Sequence, residues 1–297
     1  MAKKFSFLEV KNCPFCNSNN FVKDGISAGK QRYWCKSCNK VFTSTTGTML
    51  SNTKKSETTW RNYVLYLTND ATIKAASEYG SVNKNTAYLW RRKFFACIHK
   101  YQEKVLLSGV VWFDEIFFSV SGKDIIFTNK GHLLKGISRN KIAVEVGIDM
   151  NGNCYCHVIG KGKPTSIMVK ESLISHIEKG AALIHDEFHG HASLVNSVGG
   201  KDIVSNTKNK DLKTMQKINQ FCALIKRIIT LHAGERRENL QYYLDWICFR
   251  TKVYHMPTRE RKKFIIAVCC NTKANHKRKV NSSHKLQEYL FSYYLVL

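Results

Sequence analysis

The sequence predicts a multidomain α/β protein in which two small N-terminal modules precede a mixed sheet flanked by helices. Three observations support this fold class. Two C-x2-C pairs lie near the start of the chain, a helical pattern follows over about residues 58–99, and strand-like and helix-like segments alternate from residue 106. At 297 residues the chain is long enough for more than one core. The expected regions are residues 1–50, 51–104, 105–255 and 256–297.

The cysteine pairs predict a structural metal site. Cys13 and Cys16 form one C-x2-C pair, and Cys35 and Cys38 form a second. Eighteen residues separate the two pairs. Each pair fits a tight knuckle, and four thiolates give the closed tetrahedral shell that Zn²⁺ prefers. The segment between the pairs is polar with short strand-like pieces, as in a zinc ribbon, whose small core does not fold without metal. The alternatives are four unrelated structural cysteines, or a redox CxxC, which needs only one pair.

The helical region predicts a helix-turn-helix. Gly80 interrupts the pattern, and Ser81 or Asn83 can cap the start of the next helix. The side chains expected to pack inward are Val82, Ala87, Leu89 and Trp90. Amide and guanidinium groups at the start of such a helix read base edges or contact phosphates. The expected DNA-binding residues are therefore Lys84, Asn85, Tyr88, Arg91 and Arg92. The alternative is a basic helical hairpin with a solvated face.

The order of elements after Leu106 predicts a ribonuclease H-like domain. GVVWFDEIFFSV reads as a buried strand, KDIIFTN as a short second piece, and KIAVEVGIDMNGNCYCHVIGKG as a hairpin that turns at MNGN. TSIMVKESLISHIEKG then reads as a helix, AALIHDE as a strand, HASLVNSVGG as a helix and KDIVSNT as a strand. A long helix over about residues 211–231 completes the order. Other α/β folds share such alternation, so the order alone does not exclude them.

Two acids are expected to meet in this sheet. Asp114 lies in the middle of the first strand, and Asp186 ends the strand AALIHDE. Neighbouring strands would bring the two carboxylates together. Repulsion between two close negative charges would then raise the pKa of one of the two carboxyl groups. A divalent ion removes this penalty, and oxygen ligands suit Mg²⁺ or Mn²⁺. Glu115 must point to the opposite face of the strand, where we expect a Lys or Arg partner.

The long helix is expected to supply a third ligand. Asn219 and Lys226 are seven residues apart, so they share one face of this helix. Asn219 can offer a carbonyl oxygen to a metal ion, and Lys226 can contact a phosphate. The apolar stripe on the other face consists of Ile218, Phe221, Ile225 and Ile228.

Composition indicates the class of partner. Lys and Arg total 47 against 22 Asp and Glu, and this net charge of +25 favours a polyanion, most commonly nucleic acid. An anionic membrane surface is the alternative. The sequence has no apolar run of transmembrane length and no signal-peptide core at MAKKFSFLEV. We therefore expect a soluble cytoplasmic protein. It has no GxGxxG or P-loop pattern, so nucleotide hydrolysis is not indicated.

Six stretches between about residues 10 and 250 form a set: CPFC, YWCKSCNKVFTSTTGTM, TIKAASEYGSVNKNTAYLWRRK, WFDE, IHDE and NQFCALIKR. The set resembles the bacterial insertion-sequence transposases of the ISXO-like group, a zinc-ribbon branch of the DDE superfamily. The resemblance implies that Asp114 and Asp186 are metal ligands. It also implies that the third ligand, commonly Glu and in some members Asn, is Asn219, and that Lys226 is the Lys found seven positions later.

The resemblance further implies a reaction and its partners. Two Mg²⁺ or Mn²⁺ ions would clamp the scissile phosphate of double-stranded DNA. A nick at the element end would free a 3′-hydroxyl, which then attacks target DNA. The partners would be terminal inverted repeats and target DNA, bound by a homo-oligomer without a membrane. The alternatives are an inactive or host-adopted DNA-binding protein and a nuclease that cuts without joining.

The asparagine is a departure from the common pattern. Asn219 supplies one oxygen and no charge, so it would bind metal more weakly than Glu. Glu235 and Glu238 lie farther along and are candidate substitutes, although the cluster GERRE reads more simply as a solvated turn.

Three further groups of residues receive a simpler interpretation. His185, His189 and His191 surround Asp186, and we expect His189 and His191 to line a DNA groove. The alternatives are a zinc site, orientation of Asp186 and activation of a water. Cys154 and Cys156 share a strand face and are expected to pack. From residue 256, dense Lys and Arg predict a basic helical extension on DNA phosphates, with a solvated tail as the alternative.

Overall fold

The computed structural model describes residues 9–69, 72–120, 122–205, 214–232 and 239–271. These residues fall into two compact units, one within Met1–Tyr101 and Met256–Lys279, the other within Gln102–His255. In this described part of the chain, no helix combines the length and apolar character needed to cross a bilayer. The finer division into four regions stays a prediction.

The N-terminal end of the first unit is a small antiparallel sheet in the order β1-β2-β3, formed by Phe21–Ser27, Lys30–Cys35 and Val41–Thr43. Its core is a cluster of three rings beside buried thiols. Phe21 meets Tyr33 and Phe42 edge-on at ring-centroid distances of 5.6 and 5.5 Å, and Tyr33 stacks on Phe42 at 5.6 Å. So few apolar side chains are buried here that burial alone gives little stability.

Three helices follow, α1 (Glu57–Leu67), α2 (Ile73–Tyr79) and α3 (Lys84–Gln102). Each has a side-chain cap at its start: Ser56 accepts from Thr59 N–H, Thr72 from Ala75 N–H and Asn83 from Asn85 N–H. Stacked indoles of Trp60 and Trp90, 3.6 Å apart, hold α1 against α3. The helices and the turn at Gly80 are as predicted.

Two side chains of α3 point in directions opposite to those expected. Leu89 is 57% exposed, whereas Arg91 is only 5% exposed. The reason is the period of the helix. Ala87, Trp90 and Phe94 are buried, and positions three, four and seven apart share one helix face. Position 91 belongs to this stripe and position 89 does not, so the expectation that Arg91 faces outward is wrong.

The described part of the C-terminal extension is a helix, α8 (Thr258–Asn271), as the sequence indicates. It packs against α1, and Phe264 meets Tyr101 edge-on with centroids 5.6 Å apart. Ile265 and Ile266 are buried. This segment therefore belongs to the core of the first unit and is not a solvated tail. Residues 272–297 lie outside the described part of the chain.

The second unit contains a five-stranded mixed sheet in the order β6-β5-β4-β7-β8. The strands β4, β5 and β6 are antiparallel neighbours, whereas β7 and β8 run parallel to β4. Their ranges are β4 (Val110–Ser119), β5 (Lys141–Asp149), β6 (Cys154–Lys161), β7 (Ala182–His185) and β8 (Asp202–Val204). The hairpin between β5 and β6 turns at MNGN, as predicted, and Asp149 accepts from the N–H groups of Asn151 and Asn153 at 2.9 and 2.8 Å.

Helices cover both faces of this sheet. They are α4 (Ser166–Leu173), α5 (Ala192–Val198), α6 (Gln216–Leu231) and α7 (Leu240–His255). The order of elements up to α6 is the predicted one: three strands, helix, strand, helix, strand, helix. Val111 and Phe113 of β4 pack with Leu173 and Leu194 of the α4 and α5 face. Alternate residues of β4, beginning with Trp112, face α6.

The segment KDIIFTN is not a strand, which corrects the sequence-based expectation. It forms a 3-10 turn at Gly122–Asp124 and a single bridge between Phe127 and Leu133. The Asn140 amide accepts from Ile126 N–H at 2.8 Å and donates to Ile126 C=O at 2.7 Å. A side chain therefore satisfies the backbone groups that a neighbouring strand would have paired.

Candidate functional site

Asp114 lies in β4, and Asp186 is the first residue after the neighbouring strand β7. The strands β4 and β7 run parallel with Trp112 opposite Ile184, and each aspartate comes two residues later. The pKa of Asp114 is raised to about 6, chiefly by burial and also by the charges of Asp186 and Glu115, against the Glu115 N–H group and His191. The charge of Asp186 therefore acts on Asp114, as expected for carboxylates on neighbouring strands, and the ligand roles of both stay predictions.

The start of α6 is held against β4 beside these acids. The Trp112 indole N–H donates to the Thr214 carbonyl at 2.9 Å, and the Lys217 ammonium lies 4.8 Å from the centre of the Trp112 ring. Because Trp112 and Asp114 point to the same face of β4, α6 covers the face that carries Asp114.

The predicted ligands on α6 flank a residue that is close to Asp114. The pKa of the Cys222 thiol is raised to about 12. Burial is the main cause, the charge of Asp114 also raises the pKa, and the charge of Lys226 lowers it. Asn219 and Lys226 are exposed and lie one helical turn before and after Cys222. Asn219 and Lys226 therefore lie on the same side of α6 as Cys222. The ligand role of Asn219 stays a prediction, and Glu235 and Glu238 lie outside the described residues.

Behind Asp186, a fully buried histidine bridges two acids. His191 Nδ1 lies 3.3 Å from Asp186 Oδ1, and Nε2 lies 3.1 Å from Glu115 Oε1. The Phe113 ring packs against the imidazole with centroids 4.7 Å apart. His191 is 0% exposed, so the expectation that it lines a DNA groove is wrong. His189 is exposed, and its place in a groove stays a prediction.

His185 is also buried and forms the other side of this cluster. Its Nε2 lies 3.0 Å from Asp202 Oδ1 of β8, and its Nδ1 lies 3.0 Å from His191 Nδ1. The side chains thus form a chain of contacts that runs from Asp202 through His185 and His191 to Glu115. Asp186 contacts His191 from the side. The alternative that a histidine orients Asp186 agrees with this geometry.

Glu115 points away from Asp114, as predicted, but its partner is not the expected Lys or Arg. It contacts His191 and lies directly across the β4–β5 ladder from Glu145. Glu145 is a residue that the sequence analysis missed. An acid inside the apolar strand KIAVEVGID is the same signal that marked Asp114, because an ionised carboxylate is costly to bury without a partner.

The four N-terminal cysteines converge in the way that a metal ion requires. Their sulfur atoms all lie within 4.8 Å of one another, with Cys13 and Cys38 3.7 Å apart and Cys16 and Cys35 3.5 Å apart. Thiolates bound to Zn²⁺ by bonds of about 2.3 Å stand about 3.8 Å apart in a tetrahedron. The four residues therefore fit the geometry of a zinc site.

The backbone builds two equivalent knuckles around these cysteines. Asn17 N–H donates to Cys13 C=O at 3.0 Å, and Asn39 N–H donates to Cys35 C=O at 2.9 Å. Both asparagines are left-handed, with φ of 63° and 55°, a conformation that Asn tolerates better than most residues. Each CxxC is thus closed by the asparagine that follows it.

The predicted DNA-binding side chains are arranged unevenly on α3. Lys84, Asn85 and Tyr88 are exposed in the first two turns, and Arg92 is half-buried. Arg91 is buried, where its charge lowers the pKa of Tyr63 against the larger effect of burial. Four of the five expected side chains therefore remain accessible to a ligand.

Comparison with known proteins gives one weak relative. No protein-family model matches the chain. An uncharacterized protein in the transposable element ISH50 of Halobacterium salinarum is 22% identical over 266 residues, which cover 86% of this chain and 90% of that protein.

Solved structures align over much of the chain with low scores. The pre-cleavage Mos1 transpososome aligns at 12% identity over 70% of this chain and 78% of that chain, with a TM-score of 0.25. The Drosophila P element transposase strand transfer complex aligns at 11% identity over 74% of this chain and 66% of that chain, with a TM-score of 0.29. Scores of this size do not establish a common arrangement of elements.

Proposed function

We propose that the protein is a DNA transposase of the DDE type, with a ribonuclease H-like catalytic domain. The observation that carries the proposal is the placement of Asp114 on β4 and of Asp186 directly after the parallel neighbour β7, where the Asp186 charge adds to the raised pKa of Asp114. Three antiparallel strands followed by two parallel ones agree with the proposed fold. The relative from the transposable element ISH50 adds support from the sequence.

The donor set fits divalent ions such as Mg²⁺ or Mn²⁺. Two neighbouring, partly buried carboxylates repel each other, so both can be ionised at once only if a cation lies beside them. Carboxylate and amide oxygens are the ligands that these ions prefer. Asp114, Asp186 and Asn219 would hold the metal. When bound, divalent ions polarise the scissile phosphate and activate the attacking oxygen.

The side chains of the chain itself bind and position the DNA. Lys226 contacts a phosphate from the face of α6 that carries Asn219. Cys222 between them stays a neutral thiol at neutral pH because its pKa is about 12, so it is not a nucleophile. His191 holds Asp186 from behind. The protein forms no covalent bond to DNA in this scheme.

The reaction has two phosphoryl transfers. In the first, a water oxygen bonds to the phosphorus at the element end, and the bond to the 3′-oxygen breaks and leaves a 3′-hydroxyl. In the second, this 3′-hydroxyl bonds to a phosphorus of target DNA and a target 3′-oxygen leaves as a hydroxyl. Each transfer exchanges one P–O bond for another, so no cofactor beyond the metal is required.

DNA ends are bound by the first unit. Helix α3 supplies cations and hydrogen-bonding groups from Lys84, Asn85, Tyr88 and Arg92. The net charge of +25 on the whole chain favours a polyanionic partner. The zinc ribbon is a second module of this unit. Cleavage of two element ends is the task of a homo-oligomer.

The test is strand joining on DNA that carries the sequences flanking the gene. Purified protein with Mg²⁺ and labelled end DNA should cut the DNA and join it to a target, whereas Asp114→Ala should bind without cutting. Glu171→Gln, at an exposed position of α4, is the matched control and should behave as the parent. Cutting without joining, or binding alone by the parent, would contradict the proposal.

The second candidate function is a DNA-binding protein without catalysis, and Asn219 is the observation that favours it. An amide at the third ligand position contributes no charge to the metal site. Joining by Asn219→Glu beside an inactive parent would identify an impaired copy. Equal or lower joining by Asn219→Glu than by an active parent would show that the amide is the working ligand.

A further inference from the structure

Glu145 is a buried carboxyl group for which the described protein supplies no hydrogen bond. It lies in the middle of β5 and is 0% exposed, and neither carboxylate oxygen has a hydrogen-bond partner among the described residues. Its neighbour across the ladder is another acid, Glu115. Two facing acids in a sheet interior require a compensating group.

A histidine completes this pair of acids. Buried His191 directs Nε2 at Glu115 Oε1, 3.1 Å away, and one donor atom from each of Glu115, Glu145 and His191 lies within 4.8 Å of the other two. The cluster is on the α4 and α5 side of β4, whereas Asp114 faces α6. It is therefore distinct from the position of Asp114, and the two groups meet at His191, whose Nδ1 contacts Asp186.

We propose that Glu115, Glu145 and His191 bind a divalent transition-metal ion of the Zn²⁺ or Mn²⁺ class. One imidazole nitrogen and two carboxylate oxygens are a ligand set that both ions accept. Ligand atoms held by bonds of about 2.0–2.2 Å to a tetrahedral ion stand about 3.3–3.6 Å apart. His191 Nε2 and Glu115 Oε1 are 3.1 Å apart, close to this distance, and the Glu145 oxygen, within 4.8 Å of both, moves inward when the ion binds.

Burial and the charge of Glu115 raise the pKa of Glu145 well above its ordinary value, so a proton and a metal ion compete for this carboxyl group. Protonation removes the charge, but the resulting O–H group has no acceptor at hydrogen-bonding distance in the described protein. A metal ion reaches across the longer separation and satisfies both acids at once.

The contacts on the other side of His191 match those of a metal-bound histidine. Such a histidine usually donates its second ring N–H to a carboxylate or another acceptor, which sets the ring orientation. With Nε2 on the ion, the Nδ1 proton of His191 faces Asp186 Oδ1 at 3.3 Å. The ion would thereby fix the ring that holds Asp186, so this site has a structural role.

The test is the metal content of the full-length protein, which does not depend on strand joining. After dialysis against metal-free buffer, bound Zn and Mn are counted per chain by mass spectrometry in an Asp114→Asn background, which weakens binding at the opposite face. Glu145→Gln should lose about one ion per chain, and Glu171→Gln on the surface of α4 should lose none. Unchanged metal content in folded Glu145→Gln would overturn the proposal.

A second variant keeps the test decisive if Glu145→Gln does not fold. The double variant Cys13→Ser, Cys16→Ser removes two of the four cysteine ligands, which abolishes the closed thiolate shell, and leaves Glu115, Glu145 and His191 in place. It should keep one ion per chain, and substitution with Co²⁺ should give weak visible bands without the intense thiolate absorption. A double variant that holds no metal would overturn the proposal.

Discussion

The indole N–H of Trp112 donates a hydrogen bond to the carbonyl of Thr214 at 2.9 Å and so joins β4 to the start of α6. The two residues are 102 positions apart in the sequence. Because Asp114 is two residues from Trp112 and Asn219 is five from Thr214, this bond sets the position of α6 relative to the acids. The same indole lies under the ammonium of Lys217.

Trp112→Phe tests this link. It keeps an aromatic ring but removes the donor, so we expect the free energy of unfolding in urea to fall by about 0.5–1.5 kcal/mol. We also expect a several-fold drop in strand joining, because the proposed metal ligand Asn219 on α6 would be displaced. DNA binding should be unchanged. Trp34→Phe, in the ribbon, is the control and should leave joining intact. A destabilised variant with full joining activity would show that α6 is positioned by other contacts.

Asp114 should make the stability of the protein depend on pH. Its pKa is about 6 in the folded chain, above the ordinary 3.8, because burial and the Asp186 charge disfavour ionisation. The folded state therefore holds more protons between these two values, and its stability falls as pH rises through that window. In buffer without added divalent ions, Asp114→Asn should flatten this decline and exceed the parent at pH 7 by about 1–3 kcal/mol.

Urea unfolding at several pH values between about 4 and 8 measures this effect. Asp124→Asn, at an exposed position, is the control and should follow the profile of the parent. Added Mg²⁺ should stabilise the parent and not Asp114→Asn, because a ligand stabilises only the state that binds it. Parallel profiles for the parent and Asp114→Asn would show that Asp114 does not titrate in this range.

The cysteine site should be required for the fold of the ribbon. Cys38→Ser is expected to lower the zinc content by about one ion per chain and to expose residues 13–43 to protease, since the small core relies on metal. DNA binding should weaken in parallel. Cys97→Ala, a buried thiol outside the ribbon, should retain all zinc. A protease-resistant ribbon in zinc-free Cys38→Ser would refute a structural role for the metal.

Substitution of the basic residues of α3 should have two different effects, on DNA binding for exposed residues and on stability for buried ones. Lys84→Ala is expected to weaken DNA binding and to lower the slope of log affinity against log salt by about one, as for one phosphate contact. Arg91→Ala should instead lower thermal stability, because this side chain is buried. Melting curves and binding assays at several salt concentrations measure the two effects. Loss of binding by Arg91→Ala at unchanged stability would place Arg91 in the DNA interface.

Local chemistry made several features predictable from the sequence. The spacing of Cys13, Cys16, Cys35 and Cys38 depends on knuckles that each close within five residues. The caps of the helices and the MNGN turn are likewise contacts between near neighbours. The order of strands and helices followed from hydrophobic periodicity, and it was enough to bring Asp114 and Asp186 to adjacent strands. These features depend on short stretches of chain that carry their own hydrogen-bonding and burial pattern.

Only the tertiary structure decided which partners the buried polar groups have. The facing of Glu115 and Glu145 depends on the register of two strands, and the contact of His191 with Glu115 spans 76 residues. Arg91 became a core residue because a stripe set by Trp90 and Phe94 includes its position. The strand expected at KDIIFTN was replaced by hydrogen bonds from Asn140. Glu115, Glu145 and His191 meet across long separations in sequence, so no local pattern carries the information about which of these groups meet. Arg91 is different, because the helical period that buries it is local.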